Sequence, residues 1–135
     1  MKGFKFIEHT ADIKFQAFGS SLEEAFKNSG FAVSKIILNK KLKGNIKKRI
    51  KVKGKNNERL LYNFLEELLV LFDSENFLIT NIKNIKIKNE NLIAEVMGVN
   101  AGKYKMDNHI KSVTYNEMFV KREKNRWIIQ VVVDV

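Results

Sequence analysis

The stretch that decides the fold lies near the C-terminal end of the chain and reads Arg126-Trp127-Ile128-Ile129-Gln130-Val131-Val132-Val133-Asp134-Val135. Apolar side chains occupy both alternating sets of this run, which is the pattern of a strand buried on both faces of a sheet. It predicts a central strand over residues 126–133. Such a strand would hold Asp134 at the end of the rigid core, and not on a frayed tail.

The rest of the chain divides into shorter strands and two helices. The spacing of apolar residues predicts one helix of about four turns after Ser21, whose hydroxyl and Glu24 form a capping box, with Gly30 as a weak point inside it. It predicts a second helix capped by Asn57, with an apolar stripe over residues 61–72. Alternating residues predict the strands, over residues 4–6, 12–18, 46–52, 82–87, 92–99 and 112–121.

Two helices among about six to seven strands predict an α+β fold, in which the helices pack on a mainly antiparallel or mixed sheet. No repeat or linker divides the 135 residues, so we expect a single domain over residues 1–135. The absence of cysteine excludes disulfides and thiolate metal sites. No apolar run approaches the roughly 20 residues that span a bilayer, and the N-terminus lacks a signal-peptide pattern. We therefore expect a cytoplasmic protein without a membrane partner.

The formal net charge of +10 favours polyanionic partners. Much of it comes from residues 40–55, which contain no acidic and no aromatic residue. One interpretation is a phosphate-binding stripe of an RNA-binding module. The other is an edge strand protected by lysines, which the lack of aromatic stacking platforms favours. The cations are Lys40, Lys41, Lys43, Lys47, Lys48, Arg49, Lys51, Lys53 and Lys55.

Motifs of common enzymes are missing from the sequence. It has no glycine-rich phosphate loop, no HExxH, no GxSxG and no Ser/His/Asp pattern. The two histidines, His9 and His109, lie far apart in predicted loops, where histidines are more often surface groups than catalytic bases. The sequence therefore predicts a protein that is not an enzyme and has no catalytic residues.

Acidic residues stand at the ends of two predicted strands. Asp12 opens the second strand, and Asp134 and Val135 follow the last one. If these strands are neighbours, the two carboxylates and the terminal carboxylate or carbonyl of Val135 would form a set of hard oxygen ligands, which suits Ca²⁺ or Mg²⁺ and not zinc. From the residues alone, two unconnected exposed aspartates remain the simpler interpretation.

Several separated motifs of the chain resemble those of the archease family and occur in the same order. The N-terminal half resembles it through residues 8–13 (Glu-His-Thr-Ala-Asp-Ile), 17–19 (Ala-Phe-Gly) and 22–26 (Leu-Glu-Glu-Ala-Phe). The C-terminal half resembles it through residues 110–115 (Ile-Lys-Ser-Val-Thr-Tyr), Trp127 and the closing Val133-Asp134-Val135. The resemblance covers nearly the whole chain.

The resemblance implies an accessory protein of the RtcB-type RNA ligase, which joins 3′-phosphate and 5′-hydroxyl ends in tRNA splicing. Archeases are understood to promote guanylylation and multiple turnover of that ligase. By resemblance, Asp12, Asp134 and Val135 match the family's divalent-metal site, with Ca²⁺ expected and Mg²⁺ or Mn²⁺ as alternatives. Lys111 matches a lysine implicated in ligase activation, with Asp12 and Asp134 contributing to the same role.

Two alternatives stay open beside ligase activation. One is a chaperone or modulator of a tRNA-modifying enzyme such as a methyltransferase, and the other is a basic module that binds tRNA directly. One position departs from the family pattern, because Asn116 stands where many relatives carry histidine. This leaves the role of position 116 open and does not affect the metal ligands.

Overall fold

The computed structural model describes residues 3–7 and 12–135. Within these residues the chain forms seven strands and two α-helices, with a short 3₁₀ turn over Ala101–Lys103. In chain order the elements are β1 (Phe4–Ile7), β2 (Ile13–Gly19), α1 (Leu22–Ile37), β3 (Ile46–Lys53), α2 (Asn57–Glu75), β4 (Phe77–Lys88), β5 (Asn91–Asn100), β6 (Ser112–Glu123) and β7 (Arg126–Asp134).

The strands form two antiparallel sheets. One has the order β1-β2-β7-β6 and the other has the order β3-β5-β4. The α+β class and the antiparallel pairing are confirmed, and the division into two sheets is the difference from the single sheet expected. Alternation identifies the buried face of a strand but not its neighbour, so it could not predict this division. Among the described residues, neither helix contains the long apolar run that a membrane-spanning helix needs.

Strand β7 is central, as its sequence predicts. It lies between β2 and β6, and both pairings are antiparallel. Ile129, Val131 and Val133 face the hydrophobic core and are fully buried. Val132, on the opposite face, is also fully buried. Strand β7 is therefore covered on both faces near its C-terminal end, and its position sets the register of both neighbours.

Helix α1 begins after its predicted cap. The Ser21 hydroxyl accepts a hydrogen bond from the Glu24 amide at 3.1 Å. Glu24 reaches back to the amide of Ser20 at 2.6 Å, so the return bond of the capping box is shifted by one residue. Gly30 has a packing role inside the helix, because a Cβ there would lie 2.8 Å from the Ile82 side chain of β4.

Helix α2 begins one residue earlier than predicted. Asn56 is the cap, and its side-chain oxygen accepts from the Arg59 amide at 2.8 Å; the predicted cap, Asn57, is the first helical residue. Both residues are asparagines, so composition alone does not choose between them. The helix ends at Glu75, and its C-cap Asn76 adopts the left-handed conformation with φ of 53°.

Candidate metal and activation site

The register of β7 brings three distant residues to one end of the four-stranded sheet. Ile13 of β2 pairs with Val133, so Asp12 and Asp134 occupy the next position along these two strands. On the other side of β7, Ser112 pairs with Asp134 and Lys111 directly precedes Ser112. We call Asp12, Lys111, Asp134 and Val135 the tip.

A main-chain hydrogen bond fixes Lys111 beside Asp134. The Lys111 amide donates to the Asp134 carbonyl at 2.7 Å. Its neighbour Ile110 is only 2% exposed and belongs to the hydrophobic core, whereas Lys111 itself is exposed. The backbone at Lys111 is therefore anchored while its ammonium group is accessible to a partner.

Helix α2 holds β6 in place from its outer edge. The Val113 amide donates to the Glu66 carboxylate at 3.0 Å, and the Val120 amide donates to the Glu58 carboxylate at 3.3 Å. These amides belong to the edge strand of the sheet and have no neighbouring strand on that side. The two glutamates thus accept hydrogen bonds from edge amides that could otherwise pair with a strand of another chain.

Asp12 also lines a cavity of about 760 Å³. Asp107 lines the same cavity, and its carboxylate accepts from the Asn39 amide at 2.8 Å. Lys35 contributes a cation to the lining. Sequence patterns do not predict Asp107 as a site residue, because it lies in an aperiodic polar segment and its contact with Asn39 spans 68 positions.

The donor atoms at the tip are oxygens, which hard divalent cations prefer as ligands. They are the carboxylates of Asp12 and Asp134, both half-buried, and the main chain of Val135. Over residues 3–7 and 12–135, no three side chains of His, Asp or Glu gather into a metal-binding group. A Ca²⁺ ion held by these two carboxylates would also need the main-chain oxygen of Val135 and further oxygens from water or a partner, since Ca²⁺ takes about 6–8 ligands.

Comparison with known proteins identifies the family. The sequence matches the model of the Archease protein family (MTH1598/TM1083) over residues 4–135. The chain belongs to the archease family. It is 35% identical to the protein archease of Methanosarcina barkeri over 144 residues, covering 99% of this chain and 97% of that protein. It is 36% identical to the protein archease of Sulfurisphaera tokodaii over 139 residues, covering both chains completely.

Two solved structures share the archease fold. The solution structure of protein 1598 from Methanobacterium thermoautotrophicum matches with a TM-score of 0.79 and 29% identity, covering 100% of both chains. The crystal structure of an archease from Thermotoga maritima, described as a possible chaperone, matches with a TM-score of 0.64 and 22% identity. It covers 97% of this chain and 96% of that chain, and at this identity it supports the fold alone.

The histidines do not join the tip in the part of this archease that the structure describes. His9 lies outside the described residues. His109 is exposed, and its Nε2 lies 3.5 Å from the Asp73 carboxylate on α2. This contact makes His109 a surface partner of α2.

Position 116 lies on a bulge in β6. The pairing of β6 with β7 is interrupted between Thr114 and Phe119, and Glu117 has a φ of 56°. Asn116 is exposed on this bulge. The neighbouring Tyr115 ring stacks on Tyr62 of α2 with centroids 4.4 Å apart. The bulge therefore presents Asn116 to solvent on the strand that begins at the tip.

The basic stretch forms the edge of the second sheet. Four of its cations alternate with partly or fully buried residues along β3 and are exposed: Lys47, Arg49, Lys51 and Lys53. The prediction that alternation places several cations on one face is confirmed. Strand β3 is also an edge strand, as the interpretation of an edge strand protected by lysines requires.

Proposed function

We propose that this archease family member activates an RtcB-type RNA ligase of tRNA splicing, by promoting guanylylation of the ligase histidine and multiple turnover. The tip would enter the ligase active-site cleft in the cytoplasm. The observation that supports this proposal is the β-sheet register, which brings Asp12 and Asp134 to one end of the sheet and anchors Lys111 beside them.

The chemistry of guanylylation explains why such a tip would help. Transfer of a nucleotide from a triphosphate develops negative charge on phosphate oxygens, and preorganised positive groups stabilise it. The exposed Lys111 ammonium would supply one such group, since its backbone is fixed by the bond to Asp134. A bound divalent ion would add positive charge at the same place.

The ion would be held at the tip by Asp12, Asp134 and the main-chain oxygen of Val135. Two anionic side chains at adjacent strand ends repel each other, and a cation relieves this repulsion. Residues 131–133 are fully buried, so the Asp134 end of the site has little freedom to move. Ca²⁺ is the favoured occupant, with Mg²⁺ and Mn²⁺ as alternatives.

The test is a ligation assay with the cognate ligase, with and without this protein, titrated with Ca²⁺ and with Mg²⁺. The wild-type protein should raise both guanylylation and the number of turnovers. The Asp12→Asn, Asp134→Asn and Lys111→Ala variants should each lose at least about 100-fold of the stimulation, the usual scale for one electrostatic stabilising group.

Two variants at the other end of β6 provide the controls. Lys121→Ala and Glu123→Gln change exposed charged residues on the same strand, away from the tip. They should stimulate the ligase as the wild type does, and all five variants should keep the wild-type thermal midpoint. Full stimulation by Asp12→Asn would contradict the proposal.

A second candidate function is that of a chaperone or modulator for a tRNA-modifying enzyme such as a methyltransferase. The Thermotoga maritima archease, whose fold this chain shares, is itself described as a possible chaperone, and this description prompts the proposal. Suppression of the client's aggregation, unchanged by Asp12→Asn and without any effect on ligase guanylylation, would favour it over ligase activation.

A further inference from the structure

The outer face of the three-stranded sheet carries a regular array of cations. Strand β5 is the middle strand, and the pairings on its two sides define four rungs across the sheet. We call these twelve residues the basic sheet face. The rungs are Lys47–Met97–Asn81, Arg49–Glu95–Lys83, Lys51–Ile93–Lys86 and Lys53–Asn91–Lys88.

The array has seven cations and one carboxylate. Directly paired residues project from the same face of an antiparallel sheet, so the seven cations share one side. All seven are exposed. On the opposite side of the sheet, alternate residues such as Ile50, Leu92 and Ala94 are buried in the core. The face is therefore a solvent-facing surface and not part of the packing.

A bulge in β4 creates the second column of cations. Lys83 pairs with Glu95 and Lys86 pairs with Ile93, so three steps along β4 match two steps along β5. Asn84, inside the bulge, has a φ of 51°. Without the extra residue, Lys83 and Lys86 would point to opposite faces. The irregularity thus collects Lys83, Lys86 and Lys88 on one side.

The single carboxylate is already engaged within the face. Glu95 accepts a hydrogen bond from the Asn84 amide at 2.6 Å and lies 3.8 Å from the Lys47 ammonium. The Asn84 bond, followed by the charges of Lys47, Arg49 and Lys83, lowers the pKa of Glu95 below its usual value. Among the described residues, the other six cations of the face have no carboxylate within 4.0 Å, namely Arg49, Lys51, Lys53, Lys83, Lys86 and Lys88.

The spacing of the array suits a chain of phosphates. Cations two residues apart along a strand are about 6.6–6.8 Å apart at the backbone, and the β3 and β4 columns are separated by two strand spacings of about 4.8 Å each. Between the two columns lies the middle strand, where Ile93 and Met97 are partly buried and so less exposed than the cations. No rung contains an aromatic residue that could stack on a base.

We propose that the basic sheet face binds the phosphate backbone of double-helical RNA without reading its sequence. The partly buried side chains of the middle strand cannot fill a deep groove between two rows of phosphates. The face therefore suits a shallow groove. The minor groove of A-form RNA is wide and shallow, whereas both grooves of B-form DNA are about 7.5–8.5 Å deep. The face belongs to a different sheet from the tip, and the proposal does not depend on ligase activation.

Fluorescence anisotropy with the full chain and a labelled RNA duplex of about 16 base pairs tests this proposal. The double variant Lys51→Gln/Lys86→Gln removes two cations that face each other across Ile93. Its RNA affinity should fall on the order of tenfold, and the slope of log K against log[salt] should decrease by about 2, since each phosphate contact contributes roughly one.

The matched control, Lys121→Gln/Lys124→Gln, removes the same charge from exposed positions on and beside β6. It should keep the wild-type affinity and salt slope, and Asp12→Asn should do the same. Equal losses in both double variants would overturn the proposal, because they would show a response to net charge alone. Equally tight binding of a DNA duplex of the same length would overturn the assignment to RNA.

Discussion

The tip and the basic sheet face use β-sheet register in different ways. At the tip, register joins single residues that are up to 123 positions apart, and we propose a separate role for each of them. On the basic sheet face, register stacks seven cations in two columns, and the cations share one role. A site of the first kind should fail when one residue changes. A site of the second kind should weaken in steps, because its binding energy is a sum of similar small terms.

The two regions also differ in what supports them. The tip includes the C-terminal end of β7, next to the fully buried residues 131–133. The basic sheet face is the solvated side of a sheet whose other side is the core. Changes in the packing of β7 should therefore affect the tip more than they affect the basic sheet face.

The largest expected effect comes from a cavity in β7. Ile129 is fully buried, so Ile129→Ala should lower the free energy of unfolding by about 2–5 kcal/mol. Urea denaturation measures this loss. In the folded fraction, Ca²⁺ affinity at the tip should fall more than RNA affinity at the basic sheet face; a larger fall in RNA affinity would contradict the separation of the two regions.

The next effect is the loss of one carboxylate from the tip. Asp134→Asn should lower Ca²⁺ affinity by more than about 100-fold, the upper range for losing a residue that only supports a ligand. Isothermal titration calorimetry with Ca²⁺ measures it. Asp73→Asn, an exposed aspartate on α2, is the matched control and should bind Ca²⁺ as the wild type does. Unchanged affinity in Asp134→Asn would remove this residue from the site.

The support of β6 by α2 gives a smaller effect. In Glu66→Ala the Val113 amide loses its side-chain partner, which should cost about 1 kcal/mol of stability. The same variant should reduce ligase stimulation only partly, because Lys111 keeps its bond to Asp134. Thermal unfolding and the ligation assay check the two parts, and complete loss of stimulation would show that Glu66 acts more directly.

The smallest effect concerns the lone carboxylate of the basic sheet face. Glu95→Gln removes its charge while keeping an acceptor for Asn84, so RNA affinity should rise a few-fold, as expected for one unit of charge.

The lowered pKa of Glu95 also predicts how the stability of the fold depends on pH. Ionised Glu95 stabilises the fold above its unfolded pKa of about 4.3, and this contribution is lost as pH falls through the lower folded pKa. An NMR titration of the Glu95 carboxyl measures that pKa, and a value at or above 4.3 would contradict the assigned contacts.

Much of the fold could be predicted from alternation and helical spacing. The central position of β7 followed from its two apolar faces, and the exposed cations of β3 followed from strict alternation. The cap of α2 was misplaced by one residue because Asn56 and Asn57 have the same chemistry. The two separate sheets could not be predicted, since no local pattern states which strands become neighbours.

The candidate site divides in the same way. The tip residues came from the ends of predicted strands and from the archease resemblance, and the register places Asp12 and Asp134 at neighbouring strand ends. Asp107 could not be found, because its cavity forms only when distant loops meet. The column of Lys83, Lys86 and Lys88 was also missed, because the bulge at Asn84 breaks the alternation that would reveal it.

A crystal structure of this protein grown with Ca²⁺ would show whether the tip binds a cation. We expect one ion at the tip, with oxygen atoms of Asp12, Asp134 and Val135 at about 2.3–2.6 Å from it. Replacement by Mn²⁺ should give an anomalous peak at the same position. An ion that contacts only one of the two aspartates, or the absence of an ion at the tip under saturating Ca²⁺, would show that Asp12 and Asp134 do not share a metal site.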